Sequence, residues 1–191
     1  MKSEHANLQH RPFLIPIWLT AIAAIGAAAI FCFAVFCFWV WFTANSTTVV
    51  VIRHAEKETG SVADPALSAA GEARAALLAN MFDVKGAGRL DAIYTSAALR
   101  NRLTAAPLAT RLGIAPIVAP SDDPKGLAQQ VLRENSGGRV MIIGHINTVP
   151  EIVAALSGRS DIPSMDEKEY GAMYIVTVPR IGDANLLRLN Y

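Results

Sequence analysis

Hydrophobic residues fill one long stretch near the start of the chain and then recur in short runs between polar segments. Residues 13–42 contain no Asp, Glu, Lys, Arg or His. A helix needs about 20 apolar residues to cross the ~30 Å hydrocarbon core of a bilayer, and this stretch is longer. The pattern predicts a tail over residues 1–12, a transmembrane anchor over 13–42, a linker over 43–47 and a domain over 48–191.

A cleaved signal peptide is the alternative interpretation of the apolar stretch. The hydrophobic region of a signal peptide is usually about 7–15 residues long and is followed by small residues. Here the stretch is about twice as long, and Phe42 stands where a small residue is expected, which favours an uncleaved anchor. Lys2 and Arg11 precede the stretch against Glu4 alone, and no charge follows until Arg53. The positive-inside rule therefore predicts a cytoplasmic N-terminus and a domain outside the cytoplasm.

Beyond residue 47 the pattern alternates between short β-branched runs and longer runs with helical periodicity. Strands are predicted at residues 48–52, 91–94, 116–120, 139–143, 172–178 and 186–189, and helices at residues 67–82, 99–112, 124–134 and 148–156. Ser68 is the expected N-cap of the first helix. The residues expected to share its apolar face are Ala73, Ala76, Leu77 and Met81. This alternation predicts an α/β fold, with a mostly parallel sheet and helices on both faces, preceded by one N-terminal transmembrane helix.

Charge and cysteine content exclude two kinds of site. The chain has 17 Lys+Arg and 16 Asp+Glu, and beyond residue 44 the two groups balance at 15 each. A domain without a basic excess has no electrostatic footprint for nucleic acid, so no nucleic-acid partner is predicted. Both cysteines, Cys32 and Cys37, lie in the apolar stretch, and the domain has only two histidines. With neither a CxxC nor an HExxH motif, no metal site is predicted.

Arginine and histidine side chains follow three of the predicted strands. Arg53 and His54 directly follow the first, Arg100 comes six residues after the second, and His145 follows Gly144 at the end of the 139–143 strand. Open α/β sheets bind ligands at the carboxyl ends of their strands, so these side chains are expected at one edge. A cation at a helix start, as at Arg100, is disfavoured by the helix dipole, and such exceptions tend to mark functional sites.

Two guanidinium groups and two imidazoles at one edge predict an anion site. Guanidinium forks match phosphoryl oxygens in a bidentate manner. Nearby positive charge lowers the pKa of an imidazole and keeps it neutral. A neutral imidazole that faces phosphorus can form a covalent phosphoenzyme, so the chemistry indicated is phosphoryl transfer.

Four segments of the domain occur in the order known from one family. They are Arg53-His54-Ala55-Glu56, then Leu67-Ser68-Ala69-Ala70-Gly71 preceded by Asp64-Pro65, then Ser96, Arg100, Thr104 and Ala105, and finally Gly144, His145, Asn147 and Thr148. In these segments the chain resembles the histidine phosphatase superfamily, also called the phosphoglycerate mutase-like family. The likeness extends from about residue 49 to residue 191.

The resemblance implies a role for each matching residue. His54 would be the nucleophile and the transient phosphohistidine, while Arg53, Arg100 and His145 would hold the phosphoryl oxygens of a small phosphorylated substrate. Asn147 would line the rim of the substrate pocket. The resemblance implies no cofactor and no metal.

Members of this family often use a carboxylate to protonate the leaving oxygen and then to activate water. Asp122 and Asp123 follow the 116–120 segment, close to where many members place this acid, and Asp123 is taken as the candidate. Glu56 and Glu151 are the alternatives. Without such an acid, the enzyme would favour substrates with good leaving groups, such as phosphoramidates or acyl phosphates.

The leading functional hypothesis is a membrane-anchored phosphatase that acts outside the cytoplasm. A mutase must shield its phosphohistidine with a lid, and only about 25 residues separate Gly113 from Arg139, which favours hydrolysis. Two alternatives remain open at this point. One is a non-catalytic anchored module that binds phosphates or sugar phosphates, and the other is a phosphohistidine phosphatase that faces the cytoplasm.

Overall fold

A computed structural model describes residues 17–60, 63–82 and 88–191. The predicted tail, residues 1–12, and the first four residues of the predicted anchor lie outside the described residues. The first element is helix α1, Ile17–Ala44, which at 28 residues is about 42 Å long. Its segment Trp18–Val40 has no buried side chains and is long and apolar enough to cross a membrane. Helix α1 is therefore a candidate membrane span.

The second compact unit begins at Phe42 and contains six strands and four helices among the described residues. In chain order they are β1 (Ser46–Arg53), α2 (Ala69–Met81), β2 (Ala92–Thr95), α3 (Leu99–Leu112), β3 (Ile117–Val118), α4 (Pro124–Glu134), β4 (Arg139–Gly144), α5 (Thr148–Ser157), β5 (Ala172–Pro179) and β6 (Asn185–Asn190). All the strands and helices predicted in the domain are present, and their bounds shift by two residues or fewer.

One six-stranded sheet with the order β3-β2-β4-β1-β5-β6 organises the domain. Strands β3, β2, β4 and β1 are parallel neighbours, whereas β5 pairs antiparallel with both β1 and β6. Because β1 lies in the middle, it is buried on both sides and reads as a continuous β-branched run. The prediction of a mostly parallel α/β sheet is confirmed.

Alternate residues of β1 pack against different helices. Val49 and Val51 belong to the core that contains buried residues of α4 and α5. Val50 and Ile52 belong to the core that contains buried residues of α2 and α3. Since successive side chains of a strand point to opposite faces, helices cover both faces of the sheet, as predicted.

The predicted linker contains more secondary structure than its polar sequence indicates. Helix α1 continues to Ala44 and β1 begins at Ser46, so Asn45 alone lies between the two elements. Strand β1 starts early because Ser46 and Thr47 pair with β5, and the Thr47 hydroxyl accepts a hydrogen bond from the Gly137 amide at 3.0 Å. These polar residues are part of the sheet.

The face of α2 that packs on the domain differs from the predicted one. Its buried residues are Gly71, Ala75, Leu78 and Ala79, whereas Leu77 and Met81 are 49% and 46% exposed. Alanines surround this helix on all sides, so hydrophobic periodicity does not single out one face. The close approach of Gly71 to main chain selects the face, because a Cβ there would lie 2.0 Å from the Glu56 carbonyl oxygen. The predicted cap is confirmed, since the Ser68 side chain accepts from the Gly71 amide.

Candidate active site

The carboxyl ends of the parallel strands bring the predicted basic residues together. The His54 amide donates to the Gly144 carbonyl at 3.0 Å, which continues the pairing of β1 with β4 one residue beyond the end of β1. As a result the rings of His54 and His145 lie 5.7 Å apart, centroid to centroid, and are tilted by 68°. Arg100 reaches the same place from the first turn of α3, with its Nε 3.3 Å from Nε2 of His54.

His54 is held as a neutral imidazole with a defined tautomer. It is buried, and its Nδ1 lies 2.8 Å from the Ala55 carbonyl oxygen. Because a carbonyl only accepts, Nδ1 carries the hydrogen and Nε2 keeps a lone pair, which accepts from Nε of Arg100. Burial, above all, and the charges of Arg100, Arg53 and His145 lower the pKa of His54 to about 4, against the opposing effect of the Ala55 carbonyl. Nε2 is therefore unprotonated at neutral pH.

Arg100 is placed by contacts on both sides of its side chain. Its Nη1 lies 3.5 Å from Oδ1 of Asp64, and its Nε makes the contact with His54. The Thr104 hydroxyl donates to the Arg100 carbonyl at 2.7 Å and accepts from the Ala55 amide at 3.0 Å. Thr104 thus ties the start of α3 to the main chain that follows His54.

Arg53 contributes a buried guanidinium whose Nε has no hydrogen-bond partner among the described residues. Its Nη1 donates to three main-chain carbonyls of one loop, those of Asp166 (3.1 Å), Glu167 (2.8 Å) and Glu169 (3.3 Å). Its Nε is buried and makes no hydrogen bond with any described residue. Burial lowers the pKa of Arg53, and the neighbouring Tyr170 and acidic side chains oppose that effect. A buried donor without a partner is costly, and an anionic oxygen would satisfy it.

His145 and Asn147 occupy the turn between β4 and α5. Burial, followed by the charges of Arg100 and Arg53, lowers the pKa of His145. The His145 amide donates to the Thr148 hydroxyl at 2.9 Å, which fixes the turn. Asn147 is exposed at the N-cap position of α5, and its side chain makes no capping hydrogen bond. Its place at the rim of the site remains a prediction.

The carboxylates considered as the acid have other partners or are exposed. Oδ1 of Asp123 accepts from the Gly126 amide at 2.8 Å and caps α4. Glu56 forms hydrogen bonds of 2.7–3.0 Å with Arg74, whose side chain holds the pKa of Glu56 below its usual value. Asp122 and Glu151 are exposed. Within the part of the chain that the structure describes, no hydrogen bond or ion pair joins these four carboxylates to His54 or Arg100.

Two residues near His54 and Arg100 were not predicted from the sequence as part of the site. The Tyr170 ring lies 6.1 Å from the His54 ring and 4.1 Å from Cζ of Arg53. Asp64 contacts Arg100, although its only sequence signal was its place ahead of the 67–71 segment. Tyr170 follows a loop without a recognisable motif, so no pattern marked it.

The assembled site combines a neutral imidazole with nearby cationic and polar donors. Nε of Arg100 lies 3.3 Å from Nε2 of His54, the His145 ring lies 5.7 Å from the His54 ring, and Nε of Arg53 has no partner among the described residues. Donors of these types suit the oxygens of a phosphoryl group. Among the described residues, no group of three or more His, Cys, Asp or Glu side chains is arranged to hold a metal ion.

Comparison with known proteins agrees with this geometry. Residues 49–121 match the family model of the histidine phosphatase superfamily (branch 1). No curated protein sequence matches the chain significantly.

Solved structures share the fold at low sequence identity. The protein histidine phosphatase SixA complexed with tungstate has a TM-score of 0.62 at 19% identity, covering 75% of this chain and 96% of that one. A mycobacterial glucosyl-3-phosphoglycerate phosphatase has a TM-score of 0.60 at 15% identity, covering 76% and 99%. Phosphoglycerate mutase from Plasmodium falciparum has a TM-score of 0.57 at 13% identity, covering 76% and 91%. The match over residues 49–121 and the shared fold show that the domain is similar to the histidine phosphatase superfamily and support a histidine-dependent phosphatase.

Proposed function

We propose that the domain hydrolyses a phosphomonoester or phosphoramidate by transferring the phosphoryl group first to His54 and then to water. One observation carries this proposal. Nε2 of His54 keeps its lone pair, because Nδ1 donates to the Ala55 carbonyl, and it faces a guanidinium 3.3 Å away. A neutral nucleophile beside a phosphate-binding cation is what attack on phosphorus requires.

The reaction divides into two in-line displacements. In the first, phosphate oxygens draw Arg100 away from Nε2, the lone pair of Nε2 attacks phosphorus, and the bond to the leaving oxygen or nitrogen breaks. In the second, water attacks the phosphohistidine and the P–N bond returns its electron pair to Nε2. Arg53, Arg100 and His145 bind the phosphoryl oxygens and stabilise the charge of both transition states.

Hydrolysis is favoured over a mutase reaction by the chain between α3 and β4. A mutase must keep water from the phosphohistidine while the bound substrate reorients in the site, and this requires a lid. This stretch consists of the two-residue strand β3, helix α4 and short connections. Its compactness supports an open site that water can enter.

Helix α1 supports a second part of the proposal, that the enzyme is anchored in a membrane with its domain outside the cytoplasm. Lys2 and Arg11 precede the apolar segment, and the next charged residue after that segment is Arg53. The positive-inside rule then keeps the N-terminus in the cytoplasm. A reporter fused after Tyr191 tests the orientation, and reporter activity on the cytoplasmic side would overturn it.

A phosphohistidine phosphatase that faces the cytoplasm is the second candidate function. The structural likeness to the protein histidine phosphatase SixA favours it. In that function the leaving group is an imidazole nitrogen. The same reporter fusion distinguishes the location, and a phosphorylated histidine peptide tested beside a phosphomonoester distinguishes the substrate.

The catalytic proposal is tested with the full-length protein in detergent micelles and 4-nitrophenyl phosphate as the substrate. We expect phosphate release without added metal, and we expect His54→Gln to abolish it. His10→Gln, which changes a histidine ahead of the anchor, is the matched control and should keep full activity. Phosphate binding by the wild type without turnover would instead identify a non-catalytic binding module. Full activity of the His54→Gln protein would exclude His54 as the nucleophile.

A further inference from the structure

We propose that Asp64 is the carboxylate that transfers protons at the oxygen in line with Nε2 of His54. This inference rests on the proposed function, which names no residue that protonates the leaving group or activates water. Asp64 lies in the loop between β1 and α2, 35 residues ahead of the helix it contacts. Both of its carboxylate oxygens accept from the Leu99 amide, at 3.1 and 3.0 Å.

The start of α3 holds Asp64 at the active site. The N-cap residue of this helix is Ala98, which has no side chain able to cap, so Asp64 supplies the missing acceptor from a distance. The next residue along the helix, Arg100, then faces Asp64 with Nη1. Asp64 is therefore fixed to the same helical turn that delivers Arg100 to the nucleophile.

The two contacts of Arg100 set an upper limit on the distance from Asp64 to Nε2, and that limit is compatible with proton transfer to a leaving group. Arg100 contacts Asp64 at 3.5 Å and His54 at 3.3 Å through nitrogens of one guanidinium, so the carboxylate lies within about 9 Å of Nε2. Phosphorus starts about 3–3.5 Å from the nucleophile. With the leaving oxygen beyond it and a hydrogen bond of about 2.7 Å to the acid, the donor belongs about 7–8 Å from Nε2.

The surroundings of Asp64 leave it free to act, unlike those of Asp123 and Glu56. Its side chain is 50% exposed, so lone pairs remain for a substrate or a water. Glu56 is 22% exposed and is held by two nitrogens of Arg74. Asp123 is turned to the Gly126 amide at the start of α4.

Proton transfer by Asp64 accounts for every proton that moves in the two displacements. As Nε2 forms its bond to phosphorus, the P–O bond breaks, and the protonated Asp64 gives its proton to the departing oxygen, which leaves as an alcohol. The Asp64 carboxylate then takes a proton from water as the water oxygen bonds to phosphorus. The P–N bond breaks, His54 is neutral again, and Asp64 is protonated for the next cycle.

The experiment compares Asp64→Asn with the wild type on two substrates that differ in their leaving groups. The asparagine amide oxygen still accepts from the Leu99 amide, so the cap is kept while the transferable proton is lost. With phenyl phosphate, a poor leaving group, kcat/KM should fall by about 10²-fold or more, since general acid–base catalysis contributes about 10²–10⁴-fold. With 4-nitrophenyl phosphate, whose leaving group needs no acid, kcat/KM should fall less than about 5-fold by the same reasoning.

The second displacement provides an independent readout. Without a base, the phosphohistidine of the Asp64→Asn protein should break down slowly. Mixing with 4-nitrophenyl phosphate should then give a burst of nitrophenolate equal to the enzyme concentration, followed by slow turnover. The matched control is Asp161→Asn, the same change at an exposed carboxylate that pairs with Arg159, and it should match the wild type.

Three outcomes would overturn the assignment. Equal loss of kcat/KM on both substrates without a burst would make Asp64 a positioning residue for Arg100. Wild-type kinetics in the Asp64→Asn protein would leave it a helix cap alone. A leaving-group-selective loss in Asp123→Asn would give the role to Asp123. Failure of the proposed function is distinct from all three, because the wild type itself would then release no nitrophenolate.

Discussion

Helices α3 and α4 both begin at the carboxyl ends of parallel strands, but it is α3 that carries a residue in contact with His54. Each carries a cation at its second residue, Arg100 in α3 and Lys125 in α4, where the helix dipole disfavours positive charge. Helix α4 is capped by its own Asp123, and Lys125 is exposed to solvent. Helix α3 takes its cap from Asp64, and Arg100 lies against His54.

The two helix starts differ in where the cap comes from. Helix α4 supplies its own cap, and Lys125 in its first turn is a surface residue. Helix α3 is capped by Asp64, which fastens the loop before α2 to the first turn and places a carboxylate beside Arg100. The unfavourable cation at the start of α3 is thus compensated by a residue distant in the sequence.

Replacing Arg100 and Lys125 in turn should give the largest difference in activity between the two helices. Arg100→Ala should lower kcat/KM for 4-nitrophenyl phosphate by about 10²–10³-fold, the usual effect of losing one donor to transition-state charge. Lys125→Ala should leave kcat/KM unchanged, because this side chain points into solvent. Steady-state kinetics on the full-length proteins measure both. Similar losses in the two variants would refute the distinction between the helices.

Lowering the pH should destabilise the site at α3, because the buried His54 lies against Arg100 in the first turn of that helix. Its pKa is about 4 in the folded protein and 6.5 ordinarily, so the unfolded chain takes up the proton first as the pH falls. The stabilisation is complete above pH 6.5 and is lost as the pH falls towards 4, a change of about 3 kcal/mol. The pKa of His145, also lowered, adds a loss in the same direction.

Hydrogen exchange of the β1 amides at pH 7 and pH 5 measures this loss of stability. His54→Gln should remove most of the pH dependence, whereas Lys125→Ala should retain it. The same free energy of unfolding at both pH values in the wild type would show that His54 is not buried as a neutral group.

Removing the two caps should give similar, smaller effects on stability. Asp64→Ala and Asp123→Ala should each lower the free energy of unfolding by about 1 kcal/mol, the typical value of a cap. Denaturation followed by far-ultraviolet circular dichroism measures this for both. Activity should separate the two variants, because only Asp64 contacts Arg100. If the activity of Asp123→Ala fell as far as that of Asp64→Ala, the proposed difference between the two helix caps would be wrong.

The sequence predicted the parts of the molecule that depend on local pattern. Strand β1 and helices α3 to α5 have strong β-branched or helical periodicity and clear stop signals, such as Gly113 in a left-handed conformation after α3. The proximity of His54 and His145 was predictable because each directly follows a buried strand, and parallel strands bring their carboxyl ends to one edge. Arg100 followed from its unfavourable position in α3.

The parts that depend on packing between distant segments were not predictable from pattern. The buried face of α2 is selected by the contact of Gly71 with Glu56, which alanine periodicity does not indicate. Tyr170 reaches the site because Arg53 binds the carbonyls of its loop. Asp64 reaches the site through its contacts with α3, and the residues around Asp64 in the sequence do not predict those contacts.

The most direct test of the account is the site of covalent phosphorylation. Full-length protein is quenched in base during turnover of 4-nitrophenyl phosphate and digested, and the phosphoryl group is located by mass spectrometry. We expect an acid-labile, base-stable phosphoryl group on His54, which the Asp64→Asn protein accumulates and the His54→Gln protein lacks. A phosphoryl group on His145, or turnover by the His54→Gln protein, would contradict it.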